Sequence, residues 1–472
     1  MVAQRSGAGC AAPARVLEAE RGSTVKLTAV CAVVLVGLVL GIAARSAPAP
    51  RLSFAGPQGL DYGRGFDGFG DAETIATGDV SGDGKPDLVL GSLADRAVWL
   101  AIRKPEGGFG VADAEHAVDG VPAGLVVGDL NADRHSDVVV ANGTGAKTVS
   151  VLLNDGKGRF DRADYASGSS PQGVALADLD GDGRLDVVSA NSSARTVSVL
   201  RNLGGGRLAA KADYVAGPLP TAVASGDLNG DGRADLVTAN AGAATISALL
   251  NRGKGAFAPR LDVVTGGAPS TVALADLDGD GRLDVVTANP RARPARGVTV
   301  LLGRGDGTFR PRRDYAVGLH ASRVVAADLN GDARPDLALA DAGNLAVLLN
   351  RGDGSFEPPL WFGYADAVTA ADFNLDGRLD LAGSFVNDRN GDWSVTAHLN
   401  APGLCNVQNV LGKTLAAARQ LLRRASCAVG SVRRRYSSRV RRARVLRQSP
   451  RFPGGVLPGG GKVALVLSLG RR

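Results

Sequence analysis

A nine-residue pattern of aspartates recurs seven times along this 472-residue chain, and it restricts the fold more than any other feature. It reads GDVSGDGKPDLV from Gly78, GDLNADRHSDVV from Gly128, ADLDGDGRLDVV from Ala177 and GDLNGDGRADLV from Gly226. ADLDGDGRLDVV from Ala275, ADLNGDARPDLA from Ala327 and ADFNLDGRLDLA from Ala371 complete the series. The leading aspartates lie 50, 49, 49, 49, 52 and 44 residues apart. A constant period of this size marks a repeat architecture in which each unit is one supersecondary element.

Within a period, short Val/Leu/Thr-rich runs alternate with Gly- and Asn-rich turns. In the third, PQGVALADLD leads into the loop, DVVSAN leads out, TVSVLRN follows and a Gly-rich turn ends the unit. Such runs are strands, and nothing between them is long enough for a helix. Four short strands per ~49 residues is the size of a propeller blade. Each small sheet has two apolar faces that it can bury only against neighbours, so a closed ring of seven blades is expected over residues 51–400. The last repeat stops at Asn400 without its final strand, while RLSFAGPQGLDYGRGFDGFG precedes the first loop. A strand from residues 52–69 is therefore expected to complete the last blade. The fold class is all-β, a seven-bladed β-propeller with Asp-rich loops, plus a small α+β C-terminal domain.

The loops suit calcium, which takes six to eight oxygens and fits a turn with donors at alternate positions. Position one is Asp79, Asp129, Asp178, Asp227, Asp276, Asp328 and Asp372. Position three is Ser81, Asn131, Asp180, Asn229, Asp278, Asn330 and Asn374. Position five is Asp83, Asp133, Asp182, Asp231, Asp280, Asp332 and Asp376; position nine is Asp87, Asp137, Asp186, Asp235, Asp284, Asp336 and Asp380. Position seven offers a backbone carbonyl, and glycine at position six permits the sharp turn. A single Asp-Gly loop is as readily an ordinary turn, but seven clusters of carboxylates repel one another without a cation. The calcium loop of helix-loop-helix proteins needs a Glu at position twelve, where the third repeat has Ser189 inside a strand, so that reading fails. Carboxylate count ranks the third and fifth loops first. Arg134 and Ala333, standing in place of the turn glycine, handicap the second and sixth.

These motifs resemble the FG-GAP/VCBS repeat family, related to the propeller of integrin α-chains. The resemblance covers residues 52–400 and implies a seven-bladed propeller, an extracellular location and bound Ca2+.

The remainder of the chain differs in charge. Residues 401–472 hold sixteen of the 54 Lys and Arg and no Asp or Glu, leaving 38 cationic residues against 47 acidic ones before them. Thr414 is placed to cap a helix whose stripe is Leu415, Ala418, Leu421 and Leu422 and which ends near Ala425. Strands are expected around residues 428–433 and 462–468. Cys405 and Cys427 form an isolated pair, read as one disulfide. The segment resembles a PASTA domain through Val410-Leu411-Gly412-Lys413-Thr414, Gly430, Gln448-Ser449-Pro450, Gly461-Lys462-Val463 and Ser468. It departs from that family at Gln408 and Ser426. The resemblance implies affinity for peptidoglycan or related wall polymers, and Arg433, Arg434, Arg435, Arg439, Arg441, Arg442 and Arg444 suit anionic ones.

Residues 27–44 are eighteen residues without a charge, preceded by Arg15, Arg21 and Lys26. They read as a signal peptide or a membrane anchor, with residues 1–26 cytoplasmic, 27–50 as the signal or anchor and its linker, and everything after Arg45 outside. Export and the lack of aromatic interleaving exclude nucleic acid as a partner. The four histidines, His116, His135, His320 and His398, sit at unrelated repeat phases, and no nucleophile elbow is present. The expected protein is a non-catalytic, monomeric binding or adhesion scaffold at a bacterial surface, its propeller ligand a protein or glycan. The alternative is an extracellular, lyase-like polysaccharide-cleaving enzyme.

Overall fold

The computed structural model describes residues 52, 58–59, 72–105, 108–111, 115–290, 297–317, 320–341, 343–386, 393–400, 405–406, 410–424, 427–437, 440, 443–449, 456–457 and 462–469. The expected signal or anchor at 27–50, and the segment before it, lie outside the described residues. Among those described, no helix is long and apolar enough to cross a membrane.

Each Asp repeat builds one antiparallel sheet. In the third blade the strands are Pro171–Ala177, Asp186–Asn191, Thr196–Leu200 and Ala212–Val215, hydrogen-bonded in that order, with the Asp loop joining the first two. Six further sheets repeat the plan, the first carrying an extra short strand, His116–Ala117. The second strand of a blade, such as Asp186–Asn191 or Asp235–Asn240, is buried at every residue. It has protein on both faces, which is why its sequence is apolar rather than alternating. The outermost strands, Ala212–Val215 and Leu261–Val264, are mostly exposed.

The core lies between blades rather than within them. Val188, Val199 and Ala190 of the third blade meet Leu236, Leu249 and Phe257 of the fourth, and Ile246 and Ala248 of the fourth meet Val285, Leu301 and Phe309 of the fifth. Among the described residues each of the seven junctions has such a cluster. The one that closes the ring joins Phe373, Val395 and Ala397 of the seventh blade to Leu88 and Phe109 of the first, with the Phe109 and Phe373 rings edge-to-face at 5.4 Å. Closure also has the expected strand. Gln58–Gly59 pairs antiparallel with Trp393–His398, Gln58 opposite Ala397 and Gly59 opposite Thr396, and supplies the seventh blade's fourth strand. First strands of all seven blades line a central cavity.

The recurrent tyrosines are packing residues, as their repetition suggests. Tyr214 stacks edge-to-face on Phe257 of the next blade at 5.1 Å and donates to the Gly255 carbonyl at 2.8 Å; Tyr315 does the same with Phe356 and Gly354.

In the tail, Thr414 Oγ1 accepts from the Ala417 N–H at 3.2 Å and caps the helix Leu415–Arg424. Strand Lys462–Ser468 runs parallel to Ala428–Arg435 and antiparallel to Val445–Ser449. The strand Val445–Ser449 has no clear sequence pattern, because three of the five residues in VLRQS are polar; Val445 and Gln448 turn inward, and Gln448 Oε1 accepts from the Val410 N–H at 2.7 Å. Val410, Ala418, Leu422, Val463, Leu465 and Leu467 form the tail's own core. Leu421 packs against that core and against the cluster between blades six and seven.

Candidate metal centre

Every Asp loop is organised by its first residue. Asp178 Oδ1 accepts from the N–H groups of Gly181 (2.7 Å) and Asp182 (3.1 Å), and its Oδ2 from Gly183 (2.8 Å). Asp227, Asp276 and Asp328 hold their loops by the same bonds. Burial works against ionisation of Asp227, but these backbone donors outweigh it and hold its carboxyl below the usual range. The loop is a local consequence of Asp spacing. Positions four and six take positive φ, as at Gly181 (82°) and Gly183 (83°), which glycine adopts freely. Ala132 and Arg134 are held at φ 64° and 73° in the second loop, Ala333 at 63° in the sixth and Leu375 at 58° in the seventh. Each is a strained departure from the motif, so the handicap expected for the second and sixth loops extends to the seventh.

Three carboxylates converge in the third and fifth loops. Oxygens of Asp178, Asp180 and Asp186 lie within 4.8 Å of one another, as do those of Asp276, Asp278 and Asp284. In both, the position-three residue has a buried oxygen with no hydrogen-bond partner, Asp180 Oδ1 and Asp278 Oδ1. A buried carboxylate oxygen without a donor is costly, and a cation supplies what the protein does not. The donor set, all hard oxygen, suits an ion such as calcium. These are the two loops that carboxylate count ranks first. The other five carry Ser81, Asn131, Asn229, Asn330 or Asn374 at position three.

Position five is turned elsewhere. Asp182 pairs with the Arg184 guanidinium, Asp231 with Arg233, and Asp280 with Arg282 at 3.4 Å. The position-five carboxylates therefore stand outside the two three-carboxylate clusters.

Position nine has a second role that its spacing does not disclose. Asp186 is fully buried; its Oδ2 accepts from the Leu179 N–H at 3.1 Å and its Oδ1 from the Asn202 N–H at 2.8 Å. Asp87, Asp137, Asp235, Asp284, Asp336 and Asp380 make the same two kinds of bond. The residue thus ties the loop to the end of the third strand in all seven blades. Burial pushes the Asp336 carboxyl up to about 7, and those of Asp186, Asp284 and Asp380 to about 6, against the pull of the N–H donors; the neighbouring loop aspartates add to the rise.

Asn202 extends this tie. Its Nδ2 donates to the Leu130 carbonyl of the preceding blade at 2.7 Å, and Asn154, Asn251, Asn350 and Asn400 repeat the contact. The asparagines ending LLN, LRN and HLN are the sequence signal for these latches. A second polar row missed in the sequence lies at the opposite end of blades two to five: in the third, Asn191 Nδ2 donates to Ser198 Oγ, which donates to Asp213 at 2.6 Å, and Asn142–Ser150–Asp164, Asn240–Ser247–Asp262 and Asn289–Thr299–Asp314 repeat it.

The histidines do not converge. His116 stacks on Phe160, His135 lies in the second Asp loop, and His398 is buried in the seventh blade, where desolvation pulls its ring down to about 4. Cys427 is disulfide-bonded, while the side chain of Cys405, its expected partner, lies outside the described residues.

A family model for the FG-GAP-like repeat matches residues 79–140, 129–189, 178–238, 227–287, 277–339 and 328–383. The chain belongs to the FG-GAP-like repeat family. Each match runs from one Asp loop into the next, so the six FG-GAP repeats account for all seven loops. A PASTA domain model matches residues 406–469. No curated protein matches the chain. Among solved structures, BBS1N in complex with ARL6DN is 14% identical, covering 74% of this chain and 98% of that one with a TM-score of 0.52, which shows likeness of fold. A lectin of Agrocybe aegerita, described as recognising non-reducing terminal N-acetylglucosamine, is 23% identical over 62% of this chain and 80% of its own, at a TM-score of 0.44.

Proposed function

We propose that this protein is an extracytoplasmic, non-catalytic binding scaffold: a calcium-stiffened FG-GAP propeller held at a bacterial surface by its basic PASTA domain. The observation that carries the reading is the joining of seven ring-closed Asp-loop blades to a tail of opposite charge. Arg433, Arg434 and Arg435 stand exposed on the strand Ala428–Arg435, and residues 401–472 offer no carboxylate side chain to neutralise them. PASTA domains characteristically recognise peptidoglycan, and uncompensated arginines add attraction to anionic wall polymers. Calcium is the ion that the two carboxylate clusters and the family together favour.

Sedimentation with purified cell walls tests the attachment. The full chain is expected to pellet with walls, and replacing Arg433, Arg434 and Arg435 by Gln to weaken this in a salt-dependent manner. Deletion of residues 405–470 with no change in sedimentation would refute it.

A further inference from the structure

The position-seven arginines follow one plan. Arg184 Nε donates to the Asn202 carbonyl at 2.9 Å and Arg233 Nε to that of Asn251 at 3.0 Å, so each side chain lies across the turn after its third strand and pairs with position five. Two further arginines belong to no repeat. The residue before the latch position is Arg201 in the third blade and Leu or Ile in the other six. The residue after the turn's apolar end is Arg310 in the fifth blade; the five other blades with this turn carry Gly, Asp, Ala or Glu there.

Both reach the position-three aspartate of their own loop. Arg310 Nη1 donates to Asp278 Oδ2 at 3.1 Å and its Nη2 to Asp280 Oδ2 at 3.4 Å. Arg201 Nη1 stands 3.6 Å from Asp180 Oδ2. A Cβ on Gly255 would meet the Arg201 stem at 3.7 Å, as one on Gly307 would meet Leu250 at 2.7 Å. The stem thus takes a leucine's place and only the head turns to the loop. In both loops the guanidinium takes Oδ2 and leaves the buried Oδ1 without a partner.

The third and fifth loops are also the two with Asp rather than Ser or Asn at position three. The extra carboxylate and the extra arginine occur together, yet the arginine comes from two different points of the blade, so a shared packing role does not explain it. Charge does. Asp178, Asp180 and Asp186 sum formally to −3, and Arg201 brings the group to −2, the formal charge of Asp227 and Asp235 in the fourth loop, where Asn229 is neutral.

We propose that Arg201 and Arg310 are built-in counter-cations of the two carboxylate clusters: each offsets the position-three carboxylate of the empty loop and opposes a divalent ion there, which sets the calcium affinity of that loop. This rests on the reading of the clusters as calcium sites. A fixed positive charge beside a carboxylate steadies the ion-free loop and repels an incoming cation, so removing it acts with opposite signs on the two. An arginine that only packed, or only oriented its carboxylate, would weaken both when removed.

Calorimetry of the full chain with calcium, and thermal unfolding in chelator, test this. Arg201→Gln/Arg310→Gln is expected to bind calcium at its two strongest sites about tenfold more tightly, the order expected for one unit charge close to a divalent ion at a partly exposed site. That gain is expected to shrink at about 1 M salt, and the ion-free variant to melt about 1–2 °C lower. Arg201→Lys/Arg310→Lys keeps the charge and is expected to bind as the parent does. Affinity unchanged or lower in the Gln variant overturns the proposal and leaves the calcium sites standing, as does a gain that the Lys variant shares. A parent chain that takes up no calcium overturns both.

Discussion

At the residue scale the Asp loops divide their labour. Position one folds the loop, position three is left with an unpaired oxygen where it is Asp, and position nine ties the loop to the blade. Replacing Asp180 and Asp278 by Ala is therefore expected to reduce the calcium-dependent rise in melting temperature without unfolding the ion-free protein. Extracellular sites of this type bind at about 10⁻⁴–10⁻³ M, so calcium at a hundredfold excess over its Kd contributes about 2.7 kcal/mol per site. Calorimetry showing the same rise in both proteins would contradict the assignment. The position-nine carboxyls also set a pH dependence. Their folded-state pKa values are raised, to about 6 or 7 where largest, so the stability they contribute is complete below their unfolded value and is lost as pH climbs through that range. His398 and His116, whose rings are shifted down by burial, act oppositely, losing stability as pH falls below the ordinary imidazole value. Seven carboxyls outweigh two imidazoles, so the ion-free protein is expected to melt higher at about pH 5 than at about pH 7.5. Saturating calcium, which favours the ionised loops, is expected to narrow that difference.

At the scale of the element, five of the seven blades are joined to the preceding one by an asparagine latch as well as by apolar packing. Asn251 is buried, donates to Leu179 of the preceding blade and to Ala234 of its own, and accepts from Gly253 at 2.8 Å. Asn251→Ala removes all three bonds and leaves buried backbone groups short of partners, a loss of about 1–3 kcal/mol. Equilibrium denaturation is expected to show it, with exposed Arg252→Ala as a near-neutral control. The first and fifth blades differ, with Arg103 and Gly303 at the asparagine position. In the fifth, a Cβ on Gly303 would come within 2.3 Å of the Leu283 carbonyl oxygen, so that blade forgoes the latch for a closer strand approach.

At the scale of the whole molecule the ring is closed by chain from both ends. Leu52 is fully buried in the core between blades six and seven, and Gln58–Gly59 covers the edge of the strand Trp393–His398. Removing residues 1–60 opens that edge and empties the Leu52 site, whose loss alone costs about 2–5 kcal/mol. Such a truncation is expected to melt lower and to aggregate through the exposed strand. An unchanged melting curve would mean that seven blades hold the ring without the N-terminal strand.

The repeat made most of this legible. Seven Asp motifs at a near-constant spacing declared the blade, the loop, the number of units and, through the incomplete last repeat, the closing strand, because each is a local property of a short segment. Counting carboxylates singled out the third and fifth loops for the same reason. The double duty of the position-nine aspartate, the asparagine latches and the Asn191–Ser198–Asp213 row stayed hidden. Their partners lie on other strands or other blades, as far as 72 residues away for Asn202 and Leu130. The position-seven arginines read as backbone donors until the fold laid them across a turn seventeen or more residues downstream. What the sequence by itself determined was the architecture and which atoms could hold an ion. Only the tertiary structure decided which carboxylates remain without a partner, because that depends on every donor the packed blades bring to them.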